Sequence, residues 1–252
     1  MAHLIISENE LEAYYKLILK IRECGVKSSR YLELLNCLVS INHSEDGFND
    51  FIQFKNEFIN TVGNTAKLSF KRADRVYQPG IDLMTKPNYF NRMNSIEELF
   101  KDEIIKIDQI SNVIFELADK PKHSLLTFTI FRPSDLIAKK RPGFVPCPIA
   151  GDFKFRNNEL QLNMFFRTND ALNFFYPDVY YLRQLQHYVL DQAKKITRHK
   201  KLQNGSIGSL NLHFSRIFLP LRMEMRKREY INGTEIESII SALIDKLQLK
   251  QN

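Results

Sequence analysis

Apolar residues recur at helical spacing in the N-terminal part of the chain, 1–63. A Ser-Glu-Asn-Glu capping box followed by spaced apolar residues predicts a helix over about 8–24, and Gly25 is a suitable end for it. The apolar stretches 31–39 and 51–62 also have the spacing of helices. We therefore expect this N-terminal part to be helical.

The rest of the chain combines helical spacing with strict alternation. A second capping box begins at Ser95, and the apolar positions after it predict one long helix that ends before Pro121. The later segments predict, in order, a strand at 124–132, a basic loop at 139–141, a hairpin at 152–167, a helix at about 178–195, a strand at 206–214 and a helix capped by Thr234. The pattern therefore indicates a mixed body of strands and helices.

The hairpin is the segment whose geometry bears most directly on chemistry. Asn157 and Asn158 separate its two alternating runs, and asparagine tolerates the positive φ that a tight turn demands. The apolar residues of the second run share one face, so Arg167 falls on the opposite face and returns toward Cys147, which shortly precedes the first run. A guanidinium beside a thiol favours the thiolate. The alternative is that Cys147 is a small buried apolar residue.

Composition narrows the class of protein. A chain of 252 residues with 44% hydrophobic content fits one large domain or two small ones, and we favour one. The three cysteines are odd in number and lack metal-binding spacing, which predicts a reducing compartment and no metal site. No signal-peptide core or membrane-length apolar run occurs, so we expect a cytoplasmic protein without a membrane partner. The net charge of +7 favours anionic partners.

The order of residues around the hairpin resembles a known enzyme family. Pro146-Cys147 is followed, after one hairpin, by Arg167-Thr168-x-Asp170. This order resembles the nucleophile and the phosphate-binding strand of the thymidylate synthase superfamily, whose members transfer one-carbon units onto a nucleotide base. The resemblance covers the catalytic half, 105–216. It implies a single thymidylate synthase-like α+β domain over 1–252, with a central mixed or antiparallel sheet and surrounding helices.

The resemblance also implies a role for each matching residue. The implied roles are Cys147 as nucleophile, Arg167 and Thr168 as phosphate ligands, Asp178 as base ligand, Glu33 as the group that positions water or a proton, Asp170 as a residue that orders backbone or folate, and Asn211 with His213 as ligands of the sugar hydroxyl. For the last pair the alignment also allows Leu212 and Phe214, but alternation favours the polar pair. The alternative for Glu33 is that it is an acidic residue at the solvent-exposed edge of a helix, without a catalytic role.

Asp178 indicates which base is bound. The synthases have Asn at the matching position, whereas the cytidylate hydroxymethylases have Asp, and a carboxyl that shares a proton can pair with both N4 and N3 of cytosine. The alternative is that Asp178 is only an acidic residue in the first turn of a helix. The resemblance thus implies a homodimeric hydroxymethyltransferase that uses 5,10-methylenetetrahydrofolate and a pyrimidine nucleoside monophosphate, (d)CMP.

Two further observations bear on that reading. Ser124-Leu125 stands where the family has a pair of arginines for the partner's phosphate, and the strand faces bearing Phe128, Ile130, Phe153 and Phe155 predict an apolar dimer interface. The alternative function is a non-catalytic member of the fold that binds a nucleotide or nucleic acid. Its candidate surface consists of tyrosines and basic runs, namely Tyr180, Tyr181, Tyr188, Lys194-Lys195, 198–201 and 222–228.

Overall fold

The computed structural model describes residues 2–81, 87–137, 145–221, 223–224, 230–231 and 233–250. Within these residues the fold is α+β, as predicted, with a mixed central sheet of eight strands and surrounding helices. The described helices are α1 (Glu10–Cys24), α2 (Glu45–Val62), α3 (Asn64–Tyr77), α4 (Tyr89–Asn94), α5 (Gln109–Asp119), α6 (Phe175–Ile196), α7 (Lys200–Gln203) and α8 (Gly233–Leu249).

The strands pair in both directions. They are β1 (His3–Ser7), β2 (Val26–Lys27), β3 (Tyr31–Ile41), β4 (Ile96–Phe100), β5 (Glu103–Ile107), β6 (Thr127–Thr129), β7 (Pro148–Arg156), β8 (Glu159–Phe166), β9 (Asn169–Asp170), β10 (Ser206–Pro220), β11 (Met223–Glu224) and β12 (Tyr230–Ile231). The central sheet has the order β1-β3-β10-β8-β7-β6, with β2 beside β3 and β9 beside β10. Parallel β1–β3 and β9–β10 pairs occur in the same sheet as the antiparallel β6–β7–β8 ladder.

The chain forms two compact units. The first unit consists of Met1–Lys71, Thr168–Tyr180 and Leu212–Asn252, and the second consists of Arg72–Arg167 and Tyr181–Asn211. The expectation of one domain over the whole chain stays a prediction. No helix among the described residues is long and apolar enough to cross a membrane.

The β7–β8 hairpin forms as the sequence predicts. Asn157 and Asn158 have φ values of 52° and 64°, so they form the two-residue turn between Arg156 and Glu159. The second strand buries its predicted apolar face, Leu160, Leu162, Met164 and Phe166. Gly151 on β7 lies so close to Met164 and to Phe128 of β6 that a Cβ atom would be 2.5 Å from either side chain. A glycine at this position therefore lets the three strands of the second unit pack tightly.

The helix predicted at 31–39 is wrong, because this segment is β3. Its buried residues Leu34 and Cys37 are three positions apart, which imitates helical spacing. Asn36 lies between them with φ 55°, and this conformation interrupts the alternation of the strand. The N-terminal part is consequently not all helical: α1 and α2 form as predicted, but β1, β2 and β3 accompany them.

The long helix predicted from Ser95 is also wrong in its first half. Ile96–Phe100 and Glu103–Ile107 form an antiparallel hairpin, and its turn residues Lys101 and Asp102 have positive φ values of 50° and 67°. The helix begins only after Asp108, whose carboxylate accepts from the Ser111 N–H at 2.9 Å. Local turn geometry therefore prevails over the helical spacing of the apolar residues.

The other predicted elements are confirmed with changed bounds. Helix α6 begins earlier than predicted, β10 extends to Pro220, and β6 is shorter than the predicted strand. The C-terminal helix forms, whereas the basic loop 139–141 lies outside the described residues.

The four apolar residues expected at a dimer interface, Phe128, Ile130, Phe153 and Phe155, are buried within the chain. The homodimer stays a prediction.

A buried ion pair connects α4 to the short 3-10 turn Pro133–Leu136 in the second unit. The Arg92 guanidinium donates to both carboxylate oxygens of Asp135, at 2.7 and 2.9 Å, and also to the Ile130 carbonyl at 2.9 Å. Arg92 is 1% exposed and Asp135 is 0% exposed. Asp135 additionally accepts from the Arg132 N–H at 2.9 Å. Both charges are thus hydrogen-bonded at the point where the chain leaves β6.

We predict that Asp135→Ala lowers the free energy of unfolding by about 3–5 kcal/mol, because it leaves the Arg92 charge buried without its partner. Urea denaturation followed by circular dichroism measures this change. The control is the double variant Arg92→Met/Asp135→Leu, which removes both charges and should recover much of the loss. A single variant as stable as the wild type would show that the pair does not stabilise the second unit.

Candidate functional site

Cys147 lies directly before β7, and the hairpin brings Arg167 to it within the second unit. The Arg167 N–H donates to the Cys147 carbonyl at 2.8 Å. The Arg167 guanidinium donates to the Val145 carbonyl at 3.2 Å. Cys147 is half-buried, and Arg167 is exposed. The two residues are therefore neighbours, as predicted, while the guanidinium beside the thiol and the catalytic roles stay predictions.

Tyr89 is a neighbour of Cys147 that sequence reasoning missed. Its hydroxyl accepts a long hydrogen bond of 3.4 Å from the Cys147 N–H. The Tyr89 ring meets Tyr77 edge to face at 5.3 Å, and Tyr77 stacks on Tyr181 at 5.0 Å. The signal in the sequence was Asn88, which caps α4 by accepting from the Asn91 N–H. Three tyrosines of the second unit thus form a continuous aromatic group that ends at the cysteine.

In the first unit, Asp170 orders the turn that leads into α6. One of its carboxylate oxygens accepts from the N–H groups of Leu172 and Asn173, both at 3.1 Å, and the other accepts from the Asn173 side-chain amide at 2.8 Å. Burial raises the pKa of Asp170 to about 6, although these hydrogen bonds oppose the rise. Of the two predicted roles, the ordering of backbone fits this geometry better than the binding of folate.

Asp178 is held by Asn169 in the same unit. It is 7% exposed, and its carboxylate accepts from the Asn169 side-chain amide at 2.7 Å. The Asp178 N–H donates to the Phe174 carbonyl at 2.9 Å, and the residue lies in the first turn of α6, as its alternative reading predicts. The side-chain carbonyl oxygen of Asn169 is buried and has no hydrogen-bond partner among the described residues. Asn169, the variable residue in the Arg-Thr-x-Asp motif, therefore joins the candidate site.

Thr168 precedes Asn169 and, like it, has a buried side-chain oxygen. Its hydroxyl is buried and makes no hydrogen bond to any residue that the structure describes. A buried hydroxyl without a partner loses the hydrogen bonds it would make to water, so such a group is a candidate ligand for a bound molecule. The predicted role of Thr168 as a phosphate ligand remains open on this observation.

Glu33 lies on β3 and not on a helix, which corrects the predicted setting of this residue. Its carboxylate accepts from the Arg216 guanidinium, and both side chains are partly exposed. Arg216 itself lies 4.9 Å from the ring centre of Tyr31 and 4.5 Å from that of Phe218. Two aromatic rings therefore hold the arginine that pairs with Glu33. The sequence showed no signal for this partner, because 183 positions separate the two residues.

Alternation along β10 favours one of the two alignments for the ligands of the sugar hydroxyl. Leu210, Leu212 and Phe214 are buried, whereas Asn211 and His213 are half-buried. The polar pair is therefore the better candidate for contact with a ligand. The Asn211 amide already donates to Asn163 at 2.9 Å and to the Ser209 hydroxyl at 3.2 Å.

The three residues 173–175, which lead into α6, have different surroundings. Phe175 is buried and stacks on Tyr14 at 5.5 Å, so its ring belongs to the core of the first unit. Asn173 is engaged by Asp170. Phe174 is half-buried and is the member of this group that could meet a ligand. The three cysteines form no disulfide. Burial raises the pKa of the Cys37 thiol to about 11, Cys24 is exposed, and Cys147 is the half-buried thiol.

Comparison with curated proteins finds a relative from Methanosarcina barkeri (strain Fusaro / DSM 804) that is named "Putative thymidylate synthase". The two sequences are 32% identical over 89 residues, which is 35% of this chain and 39% of the relative. The chain thus matches about two fifths of the length of that relative. No protein-family model matches the chain. The similarity supports a relationship to the thymidylate synthase superfamily, without reaching a particular subfamily.

We predict that Asp170→Asn changes how stability depends on pH. Because folding raises the pKa of Asp170 from 3.8 to about 6, the protonated acid favours the folded state and its contribution is lost as the pH rises toward 6. The stability of the variant relative to the wild type should therefore increase between pH 4 and pH 6 and then level off. Urea denaturation of both proteins across this range measures the difference.

The control for this comparison is Asp191→Asn, the same chemical change at an exposed position of α6. It should leave the stability difference nearly constant with pH. A constant difference for Asp170→Asn as well would contradict the raised pKa.

Proposed function

We propose that the protein is a pyrimidine nucleotide C5 hydroxymethyltransferase that acts on a cytidylate, CMP or dCMP. The observation that carries the proposal is the hydrogen-bonded junction of Arg167 with the segment Val145–Cys147. It places a cation that can bind phosphate at the residue that can attack the base. The similarity to a protein named as a thymidylate synthase supports the same class of chemistry.

In the proposed reaction, the Cys147 thiolate forms a bond to C6 of the pyrimidine, and the electron pair of the C5–C6 double bond makes C5 nucleophilic. 5,10-Methylenetetrahydrofolate, when bound, supplies a one-carbon unit at the oxidation level of formaldehyde. Arg167 and Thr168 hold the nucleotide phosphate. Once the one-carbon unit is bonded to C5, loss of the C5 proton and of the folate amine would leave an exocyclic methylene on the base. Water positioned by Glu33 would add to this methylene, and the returning electron pair would release the Cys147 thiolate from C6.

We assign two tasks to Arg167 because of its position: it binds the phosphate, and it sets the distance between the nucleotide and Cys147. The residue is exposed, so its guanidinium can meet a phosphate in solvent, and its backbone is bonded to the nucleophile's own carbonyl. A phosphate held by this side chain would therefore set the distance between the nucleotide and Cys147. Correct placement of the two reacting atoms is a large part of the rate gain in such additions.

Base selection is assigned to the Asp178–Asn169 pair. The Asn169 side-chain amide donates to Asp178. The buried side-chain carbonyl oxygen of Asn169 has no partner in the described part of the chain. The N4 amino group of cytosine carries two donors and could satisfy this oxygen together with the Asp178 carboxyl. Uracil has an acceptor, O4, at the same position, which would place two acceptors against each other. The pair therefore favours cytosine.

We predict that Cys147→Ser abolishes exchange of the C5 hydrogen, because an alcohol is far less ionised than a thiol of similar size. Tritium release from C5-labelled CMP, dCMP, UMP and dUMP, with and without the folate, measures the exchange. Cys24→Ser, at an exposed position of α1, is the matched control and should retain activity. Undiminished release by the Cys147 variant would remove this thiol from the reaction.

The same assay separates the two candidate functions. Wild-type protein that binds nucleotides but releases no label from any of the four would favour the alternative, a non-catalytic member of the fold.

We predict that Asp178→Asn shifts the binding preference from cytidylate toward uridylate. The amide can donate to O4 of uracil and accept from N3–H, whereas an ionised carboxylate has no donor for O4. Each mismatched buried contact costs on the order of 1–3 kcal/mol, so the ratio of affinities should change by roughly tenfold or more. Calorimetry with CMP and UMP measures both affinities without turnover.

Asp191→Asn serves as the control, because it makes the same chemical change at an exposed position of α6 outside the candidate site and should leave the ratio of the two affinities unchanged. If Asp178→Asn also leaves that ratio unchanged, the residue does not read the base and the cytidylate assignment fails.

A further inference from the structure

The second unit carries a basic surface near the C-terminal ends of α6 and α5. We define it by five exposed cations, Lys122, Lys195, Arg198, Lys200 and Lys201. Among the described residues, none of the five has a carboxylate within ion-pair distance. The proposed function uses none of them.

Two hydrogen bonds bring the separate segments of this surface together. The buried Thr197 hydroxyl donates to the Ala118 carbonyl at 2.7 Å. The His199 ring Nε2 donates to the Asp119 carbonyl at 2.7 Å. Residues 197–199 are therefore attached to the end of α5, and the loop that carries Lys122 begins directly beyond it. The cations form one surface because of these contacts, not because of their order in the sequence.

Stabilisation of helix ends does not explain all of these charges. Lys195 lies in the last turn of α6, where a cation interacts favourably with the helix dipole. Arg198 follows the helix, and Lys200 and Lys201 lie in α7, a single turn of four residues that is too short for a dipole to account for two cations. Of the nearby acids, Asp119 lies 3.6 Å from Lys120 and Glu116 lies 2.8 Å from His123, whereas the exposed Asp191 of α6 offsets one of the five positive charges. The surface therefore retains a net positive charge.

An exposed aromatic ring lies on the face of α6 that carries Lys195. Tyr188 on α6 is 51% exposed and precedes Lys195 by seven positions, so the two side chains lie on the same face of the helix, two turns apart. The tyrosine makes no hydrogen bond or ring contact with any described residue. A flat ring next to several cations is the combination that binds bases and phosphates of an unpaired strand.

We propose that this basic surface binds single-stranded nucleic acid, with the five cations on successive phosphates and Tyr188 stacked on a base. A single strand is favoured over a duplex because the tyrosine requires a base whose face is accessible. An acidic peptide would satisfy the cations but would leave the ring without a stacking partner. The proposal is independent of the proposed function, since it concerns a different set of residues.

The first test is fluorescence anisotropy with a fluorescein-labelled, pyrimidine-rich RNA of about 20 nucleotides. A plot of log affinity against log salt should be linear, with a slope of about −0.7 for each phosphate neutralised. The charge-reversal variant replaces the four cations of α6, α7 and their connection, Lys195→Glu, Arg198→Glu, Lys200→Glu and Lys201→Glu. Its affinity should fall at least about tenfold, and its slope should become shallower by about 3.

The matched control changes net charge equally on exposed positions of the first unit, Lys27→Glu, Arg30→Glu, Lys67→Glu and Lys71→Glu. It should bind the RNA with nearly the wild-type slope. Equal losses in both variants would overturn the proposal, because the attraction would then come from net charge alone. Absence of binding by the wild type at low salt would overturn it as well. Thermal unfolding of each variant shows that the fold is retained.

The second test uses Tyr188→Ala, which leaves every charge in place. Its affinity for the RNA should fall at least about fivefold, the loss typical of one stacked base, whereas its affinity for inorganic polyphosphate should not change. Unchanged RNA affinity in this variant would remove the stacking role and with it the case for a single strand. Tighter binding of the same sequence as a duplex, or binding of anionic lipid vesicles in preference to RNA, would also contradict the proposal.

Discussion

The buried ion pair between Arg92 and Asp135 is the constraint on which the arrangement around Cys147 depends. Two charges removed from water are tolerable only because each is fully hydrogen-bonded, and their contacts join α4 to the turn after β6. Helix α4 also carries Tyr89, whose hydroxyl meets the Cys147 N–H. An interaction without direct contact to the cysteine therefore positions one of its neighbours.

The other neighbour of Cys147 is positioned by local backbone geometry. Two asparagines with positive φ form the β7–β8 turn, and the register that follows pairs Pro148 with Phe166. Arg167 then lies beside the Cys147 carbonyl. The two supports differ in physical kind: the turn depends on the conformations of two residues, whereas the ion pair depends on burial and on partners distant in sequence. The candidate nucleophile lies where their effects meet.

The first unit contributes carboxylates that are each paired with a neighbouring side chain. Asp170 and Asp178 are both paired with asparagine side chains, and Glu33 is paired with an arginine that lies against two aromatic rings. The carboxylates implied by the family resemblance are thus each restrained by a specific neighbour. These neighbours, rather than the acids alone, decide which oxygen atoms remain available to a ligand. The basic surface of the second unit consists of other residues and gives the chain a second candidate chemistry.

The sequence by itself determined the elements whose signals are local. The β7–β8 hairpin follows from its two asparagines, and α1, α2, α6 and α8 follow from apolar spacing, so the juxtaposition of Cys147 with Arg167 could be predicted. Only the tertiary structure decided that 31–41 is a strand, because the interruption at Asn36 imitates helical spacing and strand pairing with β1 supplies the missing hydrogen bonds. It also decided the partners Tyr89, Asn169 and Arg216 and the joining of the basic segments. Contacts between distant positions leave no periodic pattern in a single sequence, which is why packing had to reveal them.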